Sequence, residues 1–433
     1  MARARNGVTA TFYTLYFNIM IIGVNIATGT INARTLGPTG RGEQAAMIMW
    51  PQFLAYIVAV GLPASLIYNI KRHPEQSRQL FSAALWMGLI LGSISSAIGV
   101  FLLPHWLGKY PAPVVHFAQW TMVLMPIATL TEIAIATYRA REEFSLYNRL
   151  RFLPPAMTLV GLITLVVVHK MTPFSAALVT HACCTFTGIL LISHLIRVYR
   201  PNTSRFVESA RRLLRYSLRI FGSDVLIAVS QQLDQVLVVG FLSPDSMGIY
   251  VVALSLSRML NVFQTAAVSV LFPKTAGKPT VEVIAITGRA VRMTMALSIG
   301  VGLSLMVLAK PALILVYGAE FASALPVFWI LVIEAIISGA ISILIQAFMA
   351  LERPGIVTVF QAAGLGLSLP LMLVLIPRYG VIGAGLALLV STSCRMVLVL
   401  VSFPLFLKTS PPQLVFARGD FALLKTSLGL EGN

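Results

Sequence analysis

The stretch from Ser217 to Gly248, SLRIFGSDVLIAVSQQLDQVLVVGFLSPDSMG, decides the fold of this chain. Its first part, Ser217 to Leu242, is apolar and long enough to cross a bilayer. It nevertheless carries polar residues where lipid favours leucine, namely Asp224, Gln231, Gln232, Asp234 and Gln235. At about 100° per residue, Asp224, Gln231 and Gln235 share one narrow stripe of a helix. Because polar groups inside a membrane usually face a bundle interior or a wet cavity, the stripe predicts a cavity wall.

This pattern of a polar-studded span and a tight turn occurs once earlier in the chain. Leu36-Gly-Pro-Thr-Gly-Arg-Gly42 closes the first span as Leu242-Ser-Pro-Asp-Ser-Met-Gly248 closes the later one. An offset of 206 residues pairs Pro38 with Pro244, Gly42 with Gly248, Asn18 with Asp224 and Asn25 with Gln231. An offset of 210 residues pairs Glu142 with Glu352 and Cys184 with Cys394. A recurrence at about half the chain length predicts a duplicated membrane unit.

The composition excludes a soluble protein. Of 433 residues, 57% are hydrophobic and 11% are charged, and the mean hydropathy is +0.85. Soluble domains carry about 25% charged residues. We therefore predict an all-α, polytopic membrane protein with about 12 transmembrane helices in two six-helix lobes related by the internal repeat. The predicted spans are residues 11–33, 44–69, 80–103, 115–138, 152–168, 174–196, 217–242, 247–272, 290–309, 323–350, 356–377 and 382–406.

The predicted domains follow from these spans. Residues 1–196 form the N-lobe with helices 1–6, and residues 217–406 form the C-lobe with helices 7–12. Between them, residues 197–216 alternate apolar residues with arginines, which predicts a basic cytoplasmic linker helix on anionic headgroups. Residues 407–433 form a cytoplasmic tail.

The net charge of +17 is a topology signal. With the N-terminus inside, most basic residues fall in inner loops, and the outer loops hold only Arg34, Arg41, Lys109, Lys170, Lys310 and Arg378. This positive-inside asymmetry predicts a multi-pass protein of the cell inner membrane with both termini in the cytoplasm. It removes the reason to expect a nucleic-acid partner. No small-residue cleavage site follows the first span, so we expect that span to be retained.

Signatures of enzyme chemistry are missing from the sequence. There is no G-x-x-x-x-G-K-[ST] loop, no H-E-x-x-H motif and no nucleophile elbow. Six histidines are scattered over the first half, and three cysteines lie inside predicted spans without metal-like spacing. We therefore expect a transporter with no catalytic residue, no metal and no cofactor. A membrane glycan polymerase or acyltransferase is less favoured, because the outer loops are short.

Charges inside the spans carry the functional argument. Arg258 and Arg395 lie near mid-span, where each costs a few kcal/mol to insert. They either line a cavity and hold an anionic head group in a bidentate fork, or they form internal ion pairs. Glu132, Asp234 and Glu334 are the available partners for such pairs. Asp224 either lines the cavity or caps a helix near the inner membrane surface.

The chain resembles the multidrug/oligosaccharidyl-lipid/polysaccharide exporter superfamily, and within it the Wzx-type flippases. The resemblance rests on Ala33-Arg-Thr-Leu-Gly-Pro-Thr-Gly-Arg-Gly42, Gly61-Leu-Pro63, Asp234 followed by Leu242-Ser-Pro-Asp-Ser-Met-Gly-Ile-Tyr250, Leu315-Val-Tyr-Gly-Ala-Glu-Phe321 and Arg378-Tyr-Gly-Val-Ile-Gly-Ala-Gly385. It implies two lobes around a central cavity, alternating access, and an undecaprenyl-diphosphate-linked oligosaccharide moved to the periplasmic leaflet for exopolysaccharide or O-antigen biosynthesis. It also implies membrane lipids, a polysaccharide polymerase and export machinery as partners.

Two departures restrict the resemblance. Lipid II flippases of this superfamily have two further spans and more arginines in span one, where this chain has Asn18 and Asn25. That difference argues against a peptidoglycan precursor as substrate. The alternative function is a MATE-type drug or cation antiporter, whose spans are usually poorer in basic cavity positions.

A lipid-linked oligosaccharide suggests a role for each polar group. Its diphosphate needs fixed positive charge, for which we assign Arg34, Arg41, Arg258 and Arg395. Its sugars need hydrogen-bonding groups, for which we assign Asn18, Asn25, Gln231 and Gln235. Asp224, Asp234 and Glu132 are candidates for coupling transport to an ion gradient. H⁺, Na⁺ and a cycle driven by substrate alone all remain open.

Overall fold

The computed structural model describes residues 2–58, 61–141, 143–275 and 277–414, and each regular element among them is helical. Lipid offers the backbone no hydrogen-bond partner, and a helix satisfies its N–H and C=O groups within one segment. The prediction of an all-α membrane protein is confirmed.

The α-helices follow one another with short connections. They are α1 (Ala2–Val58), α2 (Leu62–Arg72), α3 (Ser77–Trp106), α4 (Ala112–Thr121), α5 (Met125–Ala140), α6 (Phe144–Val167), α7 (Pro173–Tyr199), α8 (Phe206–Phe241), α9 (Pro244–Ser257), α10 (Asn261–Thr275), α11 (Thr280–Val316), α12 (Leu325–Ala350) and α13 (Pro354–Ser402). Single 3₁₀ turns at Met122–Leu124 and Arg258–Leu260 interrupt the fourth and eighth spans.

These helices account for the twelve predicted spans. In the described part of the chain, 9 helical stretches are long and apolar enough to cross a membrane. Two of them contain a glycine with positive φ, Gly37 at 65° and Gly380 at 60°, where two helices meet at a kink. Each of these two stretches therefore supplies two spans. Helix α8 supplies the remaining one.

The surface of the helices is apolar where lipid would touch it. Phe101, Trp120 and Val307 are each more than three-quarters exposed, and many leucines, isoleucines and valines are exposed beside them. An exposed apolar surface of this extent is unfavourable in water and favourable in a bilayer. The fold therefore matches the composition.

Contacts between segments far apart in the sequence show which helix ends lie on the same face of the bundle. The turn at residues 36–42 packs against the turn at residues 242–248, so both turns lie on one face. The start of α7 joins them through Pro173, which lies beside Gly40. The chain therefore crosses the membrane an even number of times between the two turns, as a repeat of six spans requires.

The opposite face carries the basic segments. The hydroxyl of Ser65 in α2 donates to the backbone carbonyl of Leu213 in α8 (2.8 Å). The guanidinium of Arg212 donates to the side chain of Gln76 (2.9 Å), and Tyr68 stacks on Tyr216 with ring centroids 4.2 Å apart. These contacts place the N-terminal part of α8 against α2 and α3.

The linker differs from its prediction. We expected a separate amphipathic helix over residues 197–216, but α7 ends at Tyr199 and α8 runs from Phe206 to Phe241 without interruption. Its buried face, with Leu213 and Ser217, packs on the helices beside it. No proline or glycine breaks the sequence between the basic part and the apolar part, which explains one long helix.

The described chain divides into two compact units. Unit 1 comprises residues 1–252 and 314–323, and unit 2 comprises residues 253–313 and 324–433. The core of unit 1 includes Phe81, whose ring lies 4.9 Å from that of Tyr199. The core of unit 2 centres on Phe348, whose ring lies 5.0 Å from that of Phe403. The division into lobes at residues 196 and 217 stays a prediction.

The two faces generate a topology prediction. Reporter fusions after Arg78, Arg151 and Arg212 should report the cytoplasm, because the basic face stays inside. Fusions near Lys109 and Asp245 should report the outer side. A cytoplasmic signal at Asp245 would contradict both the repeat and the contact between the two turns.

Candidate functional site

A cavity of about 300 Å³ lies inside unit 1, between α1, α5, α6 and α7. Most of its wall is apolar, formed by residues such as Ile127, Ile135 and Leu191. Its polar lining includes Gln52, Thr131, Glu132, Arg151, Thr180 and His181. The volume suits several water molecules or a small ion, because a water takes about 30 Å³.

Glu132 is the predicted coupling residue that the structure places in this cavity. It lies in α5 and makes no hydrogen bond or ion pair with any residue that the structure describes. The charge that acts on it most is Arg139, seven residues further along the chain. A carboxyl in an apolar environment without a partner binds a proton or a cation, or pairs with water. The position therefore suits ion coupling.

Arg151 connects the cavity to the first span. It begins the fifth span, lines the cavity, and donates from its guanidinium to the side-chain oxygen of Asn18 (3.1 Å). Asn18 was predicted to bind sugar, whereas Arg151 was counted only among the basic inner-loop residues. The sequence held one signal for Arg151, since it is a cation placed directly before the apolar Phe152 and Leu153.

His181 forms part of the cavity wall opposite α5. Its Nε2 lies 3.3 Å from the backbone carbonyl oxygen of Met47 in α1, so that nitrogen carries the proton in a hydrogen bond. The other ring nitrogen then acts as an acceptor. His181 has no metal-like spacing in the sequence, and its contact with Met47 is a packing contact that also adds a polar group to the cavity.

Arg34 and Arg41 lie on the other face and not in the cavity. Arg34 donates from Nε to the carbonyl of Val316 (3.0 Å) and from a terminal nitrogen to the carbonyl of Leu315. It therefore caps the C-terminal end of α11, where a cation is favoured. Arg41 donates to the Gln44 side chain (2.6 Å), and its buried Nε has no hydrogen-bond partner among the described residues.

The polar stripe of α8 is only partly described. The side chains of Asp224 and Gln231 lie outside the described part. Asp234 is buried and accepts a hydrogen bond from the Tyr250 hydroxyl (2.8 Å), which ties α8 to α9. Gln235 is half-buried, and Asn25 in α1 is exposed. Leu233, which the stripe places on the opposite face, is buried.

Arg395 belongs to a polar cluster inside unit 2. Its guanidinium donates to Gln361 (3.2 Å) and is attracted by the carboxylate of Glu334. Thr392 donates to the same carboxylate (2.9 Å). All of these side chains lie on α12 and α13. The cluster fits the internal ion pair that the sequence left open for Arg395.

Arg258 opens the 3₁₀ turn that interrupts the eighth span, and its side chain is exposed. The repeat offset of 206 residues pairs it with Gln52, which follows Pro51 and lines the cavity of unit 1. Both copies of the repeat thus carry a long polar side chain at this position, which lies in a 3₁₀ turn in the second copy and in α-helix after Pro51 in the first. A sharp bend or a 3₁₀ turn exposes backbone groups as well as the side chain.

The cluster in unit 2 generates a stability prediction. Arg395→Ala should lower the amount of protein in the membrane, because it removes the hydrogen bond to Gln361 and the charge that faces Glu334. Adding Glu334→Gln to the same chain should restore most of the loss. Exposed Arg353 at the start of α13 provides a control, since Arg353→Ala should accumulate normally. Normal accumulation of Arg395→Ala with loss of transport would instead make Arg395 a substrate ligand.

Solved structures with the same fold are transporters. The chain aligns with the lipid II flippase MurJ in its inward closed conformation at a TM-score of 0.76 and 15% identity, covering 98% of this chain and 90% of that one. It aligns with an inward-facing multidrug resistance MATE family transporter of the MOP superfamily at a TM-score of 0.69 and 14% identity, covering 92% of this chain and 99% of that one. These similarities establish the fold.

Curated relatives are named for glycan transport. The succinoglycan biosynthesis transport protein ExoT of Rhizobium meliloti (strain 1021) is 25% identical over 322 residues, which are 72% of this chain and 63% of that protein. The Haloferax volcanii protein named "Probable low-salt glycan biosynthesis flippase Agl15" is 25% identical over 195 residues, which are 44% of this chain and 41% of that protein. The chain thus spans less than two thirds of each relative.

A family model described as "Polysaccharide biosynthesis protein" matches residues 31–326, which is well over half of the chain. The match includes the first repeated turn, the cavity of unit 1 and the second repeated turn. The chain therefore belongs to the family of polysaccharide biosynthesis proteins.

Proposed function

We propose that the protein is a flippase that moves a polyprenyl-diphosphate-linked oligosaccharide from the inner to the outer leaflet of the cell inner membrane. The family match over residues 31–326 carries this proposal. The relatives' names point to glycan transport, and twelve spans with short connections leave little room for a catalytic domain. No enzymatic step is proposed.

The substrate has three parts with different physical demands. The polyprenyl tail remains in lipid, the sugars need hydrogen-bonding groups, and the diphosphate needs fixed positive charge. Arg151 meets that last demand on the basic face, because it is exposed there and held by Asn18. Arg258 meets it in the eighth span, because it is exposed at a break in the helix.

The cavity of unit 1 serves ion coupling in this scheme. Its volume of about 300 Å³ admits H⁺ carried by water, or Na⁺. Glu132 supplies the charge that such an ion neutralises. Gln52, Thr131 and Thr180 supply neutral oxygen atoms in the same wall. We favour Glu132 over Asp234 because Asp234 is already engaged by Tyr250.

Deletion of the gene tests the transport function. The lipid-linked oligosaccharide should then accumulate on the inner leaflet and surface polysaccharide should be lost, as measured by glycan analysis and leaflet-specific labelling. Complementation with the wild type should restore both, whereas Arg258→Ala should fail although the protein accumulates. Arg258→Lys should restore part of the activity if charge alone suffices, and little if the bidentate fork is needed.

Other outcomes of this experiment would point elsewhere. Normal surface glycan with altered sensitivity to cationic drugs would favour the MATE-type antiporter. A change in polymer length with normal lipid-linked oligosaccharide would favour a polymerase or acyltransferase.

Glu132→Gln tests the coupling role. In proteoliposomes with an imposed H⁺ or Na⁺ gradient, this variant should flip a fluorescent lipid-linked glycan at least about tenfold more slowly, a loss of about 1.4 kcal/mol in the barrier. It should also lose the response to the gradient. The exposed carboxylate Glu75 provides the control, because Glu75→Gln should behave as the wild type. Wild-type rates for Glu132→Gln under both gradients would exclude Glu132 as the coupling group.

A further inference from the structure

The first turns of α8 extend beyond the length that a membrane requires. Helix α8 has 36 residues, which rise about 54 Å at 1.5 Å per residue. A hydrocarbon core about 30 Å thick is crossed by about 20 residues. With the turn at residues 242–248 on the outer side, about 20 residues counted back from Phe241 reach the inner edge of the core near residue 222. The residues before it therefore lie at the level of the inner headgroups and in the cytoplasm.

An exposed stripe runs along this extension. Its members lie within roughly 60° of Arg211 at about 100° per residue. They are Arg211, Leu214, Arg215 and Leu218, which we call the α8 stripe. Leu213 lies about 200° from Arg211 and is fully buried, so the stripe faces away from the helices that pack on α8. The sequence predicted that the whole linker would touch headgroups, whereas the structure leaves one face of a longer helix free to do so.

The α8 stripe combines charge with apolar surface. Leu214 is 45% exposed and Leu218 is 59% exposed. Apolar side chains at this level are stabilised by contact with acyl chains, and arginines beside them suit anionic headgroups. A free phosphate would contact the arginines alone. The combination therefore favours a ligand that carries both a phosphate and acyl chains.

The two arginines of the stripe are available for a ligand. Arg211 and Arg215 make no side-chain hydrogen bond or ion pair with any residue that the structure describes. Arg212, which lies between them in the chain, is instead held by Gln76 (2.9 Å) and Glu208 (3.3 Å). Residues four apart on a helix lie about 6 Å from each other on one face. Both guanidinium groups can therefore reach the same phosphate.

A stack of tyrosines marks the level of the membrane edge beside the stripe. Tyr216 follows Arg215 in the chain and stacks on Tyr68 of α2, with ring centroids 4.2 Å apart. The guanidinium of Arg72 lies over the Tyr68 ring, 5.8 Å from its centroid. Tyrosine is enriched where the membrane meets water, and arginine is enriched on the cytoplasmic side. The stack therefore agrees with the helix length in placing Arg215 among the headgroups.

We propose that the α8 stripe binds one anionic phospholipid of the inner leaflet. The phosphate of the lipid lies between Arg211 and Arg215, and its acyl chains run past Leu218 toward the membrane centre. The bound lipid fastens the inner end of α8 to the leaflet. The proposal rests on charge, exposure and helix length, and it does not depend on the flippase function.

Competition between two lipids tests the site in the wild type. The full-length protein in detergent is titrated with equal amounts of phosphatidylglycerol and phosphatidylcholine that carry identical acyl chains, and bound lipid is counted by native mass spectrometry. One phosphatidylglycerol should be retained about fivefold or more over phosphatidylcholine, and salt should reduce this preference. Equal retention of the two lipids would overturn the proposal.

Variants locate the preference on the stripe. Arg211→Gln with Arg215→Gln should abolish the preference for phosphatidylglycerol. Arg197→Gln with Arg353→Gln removes the same charge from two exposed arginines on other helices and should leave the preference unchanged. Leu218→Ser should lower retention of phosphatidylglycerol while both arginines are present. If the double stripe variant fails to accumulate, Arg211→Gln and Arg215→Gln are measured singly, and an unchanged preference in both would refute the site.

Two competitors distinguish a phospholipid from other phosphate ligands. Millimolar inorganic phosphate should not displace phosphatidylglycerol from the wild type, because it lacks acyl chains. Farnesyl diphosphate should not displace it at equal concentration. Displacement by inorganic phosphate would reduce the site to a simple anion site, and displacement by farnesyl diphosphate would make it a site for an isoprenoid carrier; either result would overturn the assignment. Normal surface glycan in the deletion strain would exclude the flippase and leave these lipid measurements unaffected.

Discussion

Lipid offers neither a counter-charge nor a hydrogen bond, so each polar group inside the spans must be satisfied by the protein or by water. The described chain meets this constraint in two ways. Arg395 faces Glu334 and Gln361, and Asp234 faces Tyr250, so these groups hold helices together. Glu132 faces a cavity and has no protein partner among the described residues. A satisfied cluster resists change, whereas a carboxyl that depends on water responds to the ions that reach it.

The proposed scheme assigns ion coupling and passage of the oligosaccharide to different parts of the protein. In the proposed scheme, the cavity of about 300 Å³ holds the coupling ion, and the oligosaccharide takes a separate path that opens and closes. Opening such a path requires contacts that form and break at low cost. An interdigitated core such as the one around Phe348, where dispersion contacts are many, is poorly suited to that requirement. Ion binding deep in unit 1 and passage of the oligosaccharide can therefore be separate elements of one cycle.

The sequence predicted the helical class and the spans and aligned the two turns as copies of one unit, because apolar length and turn residues are local signals. It did not predict which side chains meet. Arg34 was assigned to the diphosphate, and that assignment stays a prediction. The sequence did not show that Arg34 donates to the carbonyl groups of Leu315 and Val316, because backbone carbonyls leave no trace in a sequence. Arg151 and Asn18 are 133 positions apart, so only packing shows their contact. The sequence analysis placed a boundary where basic residues give way to apolar ones. It therefore did not predict that the linker residues from Phe206 onward belong to α8.

The two copies of the repeat share the glycines at their contact but differ in charge at other positions. Gly42 and Gly248 each contact the backbone of the other repeat, so a side chain at either position would disturb both segments. Both positions therefore require glycine. Positions outside this contact can carry different residues in the two copies. Gln52 corresponds to Arg258, and Asn18 to Asp224, so charge differs where the backbone pattern agrees.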